Sequence, residues 1–337
     1  MPESKEKYRA TMLIATTLLS VLAAAALCFG RYSANPLDVL EAARGKLSGS
    51  TTNAAMETIV FKVRLPRVAA SVLIGCALSL SGAAYQSTFR NPLVSPDLLG
   101  VSSGASLGAA IALYFGMPLS SVQLFAFAGG IAAVLAAASL PKLLRNPSNM
   151  ALVLSGIIVS SFMNAVIGIV KLLSREQDQL AAIVFWQMGS LSRINSKQLL
   201  SSAPVIVACS AVMIAISWRM NILSFGEEEA RSVGVNVPRL RAIAIICASL
   251  LTASSVSISG SIGWIGLVIP HFGRLICGSD NTRLMPLAAA LGGIFLLLID
   301  TAARTATSIE IPISILTGLI GAPMYAWLLF KLRAKIT

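Results

Sequence analysis

The stretch that decides the fold lies at residues 68–86, which read VAASVLIGCALSLSGAAYQ. These 19 residues carry no charge, and a helix needs roughly 20 apolar residues to cross a bilayer core of about 30 Å. Only helices and closed barrels satisfy their backbone hydrogen bonds in lipid, and a run of this length exceeds a barrel strand. The stretch therefore predicts a transmembrane helix.

Similar low-charge runs recur along the whole chain. They fall near residues 11–30, 68–86, 98–115, 121–140, 150–173, 203–218, 242–259, 262–277, 285–303 and 312–330. The eighth run is short and contains Pro270, which favours a partial or kinked span. The pattern predicts an all-α polytopic membrane protein in which residues 1–337 form a single transmembrane domain.

The composition excludes a soluble protein. Apolar residues make up 56% of the chain, charged residues 12%, and the mean hydropathy is +0.80. A soluble fold carries roughly 25% charged residues. The five cysteines are isolated and the single histidine is His271, so a disulfide framework, a Cys/His metal centre and a His-based triad are not expected.

The net charge of +12 is typical of a membrane protein with basic cytoplasmic loops, and no nucleic-acid-binding motif accompanies it. We therefore expect no nucleic-acid partner. The first run follows Lys5, Lys7 and Arg9 and is interpreted as a span, not a cleaved signal peptide. Ten crossings then leave both termini in the cytoplasm, which the basic tail at 331–335 supports.

Three polar segments interrupt the spans. Residues 31–58 and 174–202 are predicted outer loops, the second with a short interfacial helix over 185–191 anchored by Trp186. Residues 221–241 form a predicted cytoplasmic loop in which three glutamates stand at a helix N-terminus, where the helix dipole favours them. Since 11 of the 26 Lys and Arg residues fall on the predicted outer side, that side is expected to meet an anionic partner or substrate.

A short sequence echo indicates an inverted internal repeat. Residues 79–82 read SLSG, with Pro92 ten positions after the glycine, and residues 257–260 read SISG, with Pro270 ten positions after it. The two copies fall on opposite sides of the predicted membrane, as inverted repeats in transporters do. Chance similarity among small residues is the alternative.

Four motifs resemble the signatures of the FecCD-type permeases, the membrane subunits of importers for iron–siderophore, haem and corrinoid chelates. They read RLPR at 64–67 continuing to NPLVSPDLLGVSSGA at 91–105, GEEEARSVG at 226–234, GSIGWIGLVIPHFGR at 260–274, and EIPI with GAP between 310 and 323. The chain departs from the usual pattern at Val233, Ser314 and Met324. The resemblance runs from about Arg64 to Lys331 and implies a cobalamin-importer-like (type II importer) permease fold.

The resemblance implies that the loop at 226–234 transmits the motion of an ATPase partner. The matching residues are Gly226, Glu227, Glu228, Glu229, Ala230, Arg231 and Gly234. A charged loop that is merely solvated is the alternative.

The resemblance also implies that Arg64, Arg67 and Arg304 receive carboxylates of a substrate-binding protein at the outer ends of their spans. Snorkelling of these side chains to lipid headgroups is the alternative. Asp300 and Glu310 lie close to membrane depth and are functional candidates for that reason, although Asp300 could simply pair with Arg304, four residues on.

Helix breaks and small residues mark a predicted translocation path. Asn91-Pro92 and Ser95-Pro96 end helices, whereas small residues at 100–108 could serve helix packing alone. The predicted path residues are Asn91, Pro92, Ser95, Pro96, Gly100, Ser102, Ser103, Gly104, Ser259, Gly260 and Pro270. His271 is interpreted as a packed, hydrogen-bonded residue, with ligation of a cargo metal as the alternative.

The chain has no G-x-x-x-x-G-K-[ST] loop, so it is not expected to bind ATP phosphates itself. We expect no cofactor on this chain, ATP and Mg²⁺ on two partner ATPase subunits, a periplasmic or lipid-anchored binding protein, and a second permease copy or close paralogue. Membrane lipid surrounds it in a bacterial or archaeal cytoplasmic membrane. The expected cargo is a ferric siderophore, with haem, corrinoid and molybdate open. An ion-coupled secondary transporter is the rival, and a membrane-embedded enzyme lacks a catalytic constellation.

Overall fold

The computed structural model describes residues 2–30, 35–48, 53–145, 148–174 and 176–333, and within these ranges it contains helices and no β-strand. In chain order, the α-helices are α1 (Pro2–Cys28), α2 (Pro36–Ser48), α3 (Ala54–Thr58), α4 (Leu65–Thr88), α5 (Val101–Tyr114), α6 (Leu119–Leu143), α7 (Asn149–Leu173), α8 (Gln177–Gln187), α9 (Ser196–Phe225), α10 (Glu227–Ser232), α11 (Val237–Ser259), α12 (Ile265–Cys277), α13 (Asn281–Thr305) and α14 (Ile313–Arg333). A π-helical segment, Ile59–Arg64, leads into α4, and a 3₁₀ turn, Pro96–Leu99, precedes α5. The all-α prediction is confirmed.

Each of the ten low-charge runs falls on one of these helices. Among the described residues, seven helices are long and apolar enough to cross a membrane, while α5, α12 and the apolar part of α14 are shorter. Helix α12 has 13 residues and is about 20 Å long at 1.5 Å per residue. The prediction that the eighth run forms a short span is therefore confirmed.

The ends of the long helices gather at two faces of the bundle, named here the α10 face and the α8 face. The Tyr8 hydroxyl donates to the carbonyl of Arg283 at 3.2 Å. The Asn221 amide near the end of α9 donates to Asp280 at 2.6 Å, so α1 and α13 begin at the face where α9 ends and α10 follows. At the opposite face, the Ser190 N–H donates to the carbonyl of Ser259 at 2.8 Å. This bond holds the turn after α8 against the end of α11.

Glycine lets the central helices approach closely. Helix α4 is mostly buried, as are α11 and α13, whereas α1 and α7 expose most of their surface. A Cβ atom on Gly75 would lie 2.2 Å from the carbonyl oxygen of Gly292 in α13, and one on Gly82 would lie 1.8 Å from that of Gly266 in α12. The backbones of α4, α12 and α13 therefore touch, which is how apolar helices gain contact in lipid.

The predicted outer loops carry more structure than their polarity indicates. The first contains α2 and α3. In the second loop, the prediction of a short helix over 185–191 is wrong. Helix α8 already ends at Gln187, and Gly189 adopts a positive φ of 72°. Trp186 packs against a cluster of alanines on α5 and α6, and its role as an interfacial anchor stays a prediction. Residues 31–34 and 49–52, Arg175 and the tail at 334–337 lie outside the described residues.

The sequence echo does not mark structurally equivalent positions. Gly82 lies within α4, six residues before its end, whereas Gly260 immediately follows the end of α11. Pro92 stands in the irregular link after α4, and Pro270 lies inside α12. The spacing of this echo is therefore not evidence for an inverted repeat, and the repeat itself stays a prediction.

Candidate functional site

The segment between α9 and α11 is shaped by two glycines and a cap. Gly226 ends α9 with φ 152°, Gly234 has φ 79°, and both values favour glycine. Helix α10 starts directly after Gly226, so its three glutamates occupy the first turn, as predicted. The Asn236 side chain then accepts from the Arg239 N–H at 3.1 Å and begins α11.

The inner side of α10 is anchored to the bundle. Ala230 is fully buried in the main core cluster. Glu227 accepts from Arg241 at 2.5 Å and lies 3.5 Å from Arg231. The hydrogen bond from Arg241 is the main reason that the pKa of Glu227 lies below its usual value. Glu227 and Ala230 thus hold α10 in place and do not present it to a partner.

The outer side of α10 presents a mixed surface. Glu228 and Glu229 are exposed. Phe225 is 80% exposed and Val233 64% exposed, and the sequence analysis did not single out either one for contact with a partner. In the sequence, each is an apolar residue inside a polar loop. That pattern is as typical of a residue that packs inward as of one that contacts a partner. Exposed apolar side chains rimmed by polar groups are typical of a surface that binds another protein.

A buried charge cluster lies near the α8 face. The Arg67 guanidinium donates to both carboxylate oxygens of Glu310 at 3.0 Å and to Asp300 at 2.9 Å. Arg67 is 7% exposed and Asp300 is fully buried. Such bidentate pairs fix geometry strongly. They join α4 to α13 and to the link before α14.

Arg64 and Arg304 bind backbone at the end of α1. Arg64 donates to the carbonyl of Leu27 at 2.6 Å, and Arg304 donates to the carbonyl of Ala26 at 2.6 Å. Cationic groups at a helix C-terminus satisfy its last carbonyls. Arg304 lies 3.8 Å from Asp300, a longer contact than that between Arg67 and Asp300.

These contacts correct one expectation. Arg64, Arg67 and Arg304 were predicted as accessible cations, but all three are buried in the described chain, at 3%, 7% and 4% exposure. The physical reason is that internal carboxylates and the C-terminal carbonyls of α1 satisfy them first. The predicted pairing of Asp300 with Arg304 is likewise secondary to its pairing with Arg67. Docking of a binding protein here stays a prediction.

The predicted helix breaks after α4 are confirmed. Helix α4 ends at Thr88, the link passes through Asn91-Pro92, and the 3₁₀ turn starts at Pro96. A Cβ atom on Gly156 would lie 1.9 Å from the carbonyl oxygen of Leu98. The link therefore turns back into the bundle and starts α5 below the α10 face.

Several predicted path residues pack inside the chain. Asn91 and Pro92 are exposed, and Ser95, Ser102 and Ser103 are half-buried. The others are buried in the described chain, and their place on a path stays a prediction; they are Pro96, Gly100, Gly104, Ser259, Gly260 and Pro270. A Cβ atom on Gly104 would lie 2.3 Å from the carbonyl oxygen of Gly129 in α6. For Gly104 the packing alternative holds.

Two exposed polar residues near this turn were missed by the sequence analysis. Asp97 is exposed and accepts a hydrogen bond from Ser102. Asn164 of α7 is exposed and donates to the Ser103 hydroxyl at 3.5 Å. Each interrupts or borders a predicted span, and that interruption was the available signal.

A cavity of about 470 Å³ opens near the α8 face. Its lining includes Trp186, Arg193, Ser259 and Glu310. Glu310 belongs to the charge cluster, so the cavity reaches the group that neutralises Arg67. It brings a cation, an aromatic ring and a carboxylate to one recess.

His271 is buried on α12, and its ring lies 6.5 Å from that of Tyr325 in α14, measured between centroids. Packing is as predicted, but neither ring nitrogen has a hydrogen-bond partner in the described part of the chain. No group of three His, Cys, Asp or Glu residues suited to a metal occurs among the residues described. The geometry gives the metal-ligand alternative no support.

Comparison with known proteins agrees with this arrangement. Residues 18–331 match the FecCD transport family. The chain is 37% identical to the molybdate import system permease protein MolB of Haemophilus influenzae, over 97% of each chain. It is 41% identical to an iron chelatin transport system permease protein of Helicobacter pylori, over 83% of this chain and 84% of that one.

A solved structure is also similar. It is a metal-chelate type ABC transporter in an inward-facing conformation, which aligns with a TM-score of 0.85 and 36% identity over 95% of this chain and 98% of that one. The family match covers more than nine-tenths of the sequence, and the ten apolar helices carry it. The chain belongs to the FecCD transport family and is a membrane-spanning permease of the ATP-binding-cassette type.

Proposed function

We propose that this chain forms the membrane path of an importer for a metal chelate. Two permease subunits, identical or closely related, enclose the path, two ATPase subunits contact the α10 face, and a periplasmic or lipid-anchored binding protein delivers cargo at the α8 face. The observation that carries the proposal is α10, an anchored helix whose outer side joins exposed carboxylates to exposed Phe225 and Val233. The assembly lies in a bacterial or archaeal cytoplasmic membrane.

The energy comes from ATP and Mg²⁺ held by the partner ATPases. The chain carries no phosphate-binding loop of its own, and we propose that it binds no cofactor. Helix α10 would transmit motion because Ala230 and the Glu227–Arg241 pair tie it to α9 and α11. A push on its outer side would therefore move two membrane-spanning helices together.

The proposed cargo is a ferric siderophore, with haem, corrinoid and molybdate as alternatives. The structural relative of metal-chelate type covers nearly the whole chain, and one similar permease is named for iron chelatin. Another is named for molybdate import and covers even more of the chain. Relatives of similar identity are named for different cargoes, so the choice of cargo depends on the local chemistry along the path.

When the binding protein docks at the α8 face, its carboxylates would replace the internal partners of the buried arginines. Glu310 is only partly covered, at 26% side-chain exposure, and lines the cavity there. A carboxylate of the binding protein entering that recess would compete with Glu310 for Arg67. Arg64 and Arg304 would contribute once the end of α1 moves.

The test is uptake into proteoliposomes by the assembled transporter, with the ATPases on the α10 side and a ferric trihydroxamate as probe. We expect uptake to require ATP on that side and to continue after proton and sodium gradients are collapsed. The rival is an ion-coupled transporter that uses the Arg67–Asp300–Glu310 cluster as a relay, since buried ionisable groups favour that class. Uptake driven by a gradient without ATP would select the rival.

A further inference from the structure

The turn that starts α5 lies at membrane depth. The carbonyl of Leu98 rests against Gly156, which is seven residues after Asn149, the first residue of α7. Seven residues of helix span about 10 Å. The N-terminus of α5, which has 14 residues, therefore opens about 10 Å inside the bundle from the α10 face.

The carboxylate of Asp97 lies at that helix N-terminus. It accepts a hydrogen bond from the hydroxyl of Ser102, the second residue of α5. The first N–H groups of a helix have no partner within it and, with the helix dipole, make a ready anion site. In this chain the Asp97 carboxylate lies beside it, bonded to the Ser102 hydroxyl.

Asp97 is nevertheless accessible from outside the chain. Its side chain is exposed, and half-buried Ser102 and Ser103 lie beside it, with exposed Asn164 bonded to Ser103. On its other side, α7 exposes large apolar side chains such as Ile158 and Phe162. A carboxylate facing lipid at this depth is costly and rare. Asp97 therefore faces water or protein, and in an importer the water-filled path meets that condition.

We propose that Asp97 makes the wall of the path negative at the start of α5 and thereby selects against oxyanions, in favour of neutral or cationic metal chelates. The inference rests on the importer function proposed above. A molybdate ion reaching this level would meet a carboxylate beside the free helix N–H groups that would otherwise bind it. A neutral or cationic chelate meets an acceptor for its N–H or O–H groups and no repulsion.

The local charge is tested with thiol reagents of opposite sign. A reporter cysteine replaces Ser103, beside Ser102, in a chain whose native cysteines at 28, 76, 209, 247 and 277 are replaced, assembled with its partners in proteoliposomes. We expect the trimethylammonium-ethyl methanethiosulfonate to react faster than the sulfonatoethyl reagent. One nearby charge changes such a rate ratio by about tenfold, so Asp97→Asn should lower the ratio by about that factor and Asp97→Glu should keep it.

Asparagine retains an acceptor for Ser102, so Asp97→Asn removes the charge and keeps the hydrogen bond. Thermal unfolding of each variant checks that the fold is intact. No reaction with either reagent would overturn the proposal, and so would the same ratio in the reporter chain with and without Asp97→Asn when both fold. A ratio that falls in Asp97→Asn and not in Asp97→Glu supports it.

Cargo is tested with three probes, a monocationic ferric trihydroxamate, a neutral ferric trihydroxamate and molybdate. We expect ATP-dependent uptake of a chelate by the native chain and none of molybdate. ATP-dependent molybdate uptake at the rate of a chelate would overturn the selectivity proposal while supporting the importer. Uptake of no probe, with the expected thiol ratio, would count against the importer function and support the charged wall at Asp97.

Discussion

Gly82 and Gly168 are both interior residues of membrane-spanning helices, yet they have opposite surroundings. A Cβ atom on Gly82 would lie 1.8 Å from the carbonyl oxygen of Gly266, whereas one on Gly168 would meet nothing within 4 Å. Backbone cannot move aside as a flexible side chain can. One methyl group therefore has a different effect at each position.

We expect Gly82→Ala to destabilise the protein by about 1–3 kcal/mol, because α4 and α12 must separate. Gly168→Ala is the matched control and should stabilise it by about 0.5–1 kcal/mol, because alanine favours a helix over glycine. Thermal unfolding of the purified chain in detergent measures both. Equal shifts in Tm would contradict the close contact between the two helices.

The Arg67 cluster gives a second prediction at this scale. Removing one partner of a buried ion pair leaves an uncompensated charge and costs about 3–5 kcal/mol, whereas an apolar pair is tolerated better. Asp300→Ala should therefore destabilise the chain strongly. Arg67→Met combined with Asp300→Leu should destabilise it less, because the only described partner it leaves without Arg67 is Glu310, which is partly exposed to water. Asp178→Ala, on the exposed side of α8, should change stability within about 0.5 kcal/mol.

Unfolding of these variants, and of the single substitutions Arg67→Met and Asp300→Leu, in the same detergent tests this prediction. If the double variant loses as much stability as the sum of its single substitutions, the two residues do not act as a pair. Sequence reasoning placed Asp300 and Glu310 close to membrane depth and Arg67 at the outer end of its span, but it did not pair them. The partners are 233 and 243 residues apart, and local spacing carries no information about such contacts.

Among the elements, the membrane-spanning helices were predictable and the segments between them were not. Hydropathy located all ten runs because lipid imposes the same length and polarity on every span. It did not give the bounds of α8, where Trp186 packs on neighbouring helices and Ile183 is buried. It also could not separate the buried path residues from the exposed ones, since small residues serve packing and lining alike.

The structure of helix α10 divides the coupling motif into two sides. The motif at 226–234 was found in the sequence, but its division into an anchored and a presented side needed the fold. We expect Glu228→Lys with Glu229→Lys to abolish copurification of the ATPase and to leave the Tm of the permease unchanged. Both side chains are exposed, and exposed positions contribute little to stability.

Glu227→Gln is the companion variant. It should keep α10 folded and weaken its hold on Arg241, by no more than about 1 kcal/mol since Glu227 is partly exposed. Its pKa is lowered in the folded protein, so the contribution is present above the unfolded pKa and lost as pH falls through the folded value. An ATPase that copurifies undiminished with the charge-reversed double variant would contradict the contact assigned to α10.

For the whole molecule, the start of α1 and the end of α14 lie towards the same face. Tyr8 brings the start of α1 to the α10 face, and α14 begins at the opposite face, where the Ile313 N–H donates to the carbonyl of Gly189 at 3.0 Å. Helix α14 runs from there towards the α10 face. Basic residues precede the first span and follow the last, which favours a cytoplasmic location for that face.

This predicts which surface a membrane-impermeant maleimide reaches in intact cells. In a chain without native cysteines, Gln177→Cys at the start of α8 should be labelled from outside, because it is exposed at the face opposite α10. Ser232→Cys, equally exposed on α10, should be labelled only after the membrane is permeabilised. The two reporters differ in the face they occupy and not in exposure, so each controls for the other. Labelling of Ser232→Cys in intact cells would place α10 outside, where no ATPase could push on it, and would end its assignment as the coupling helix.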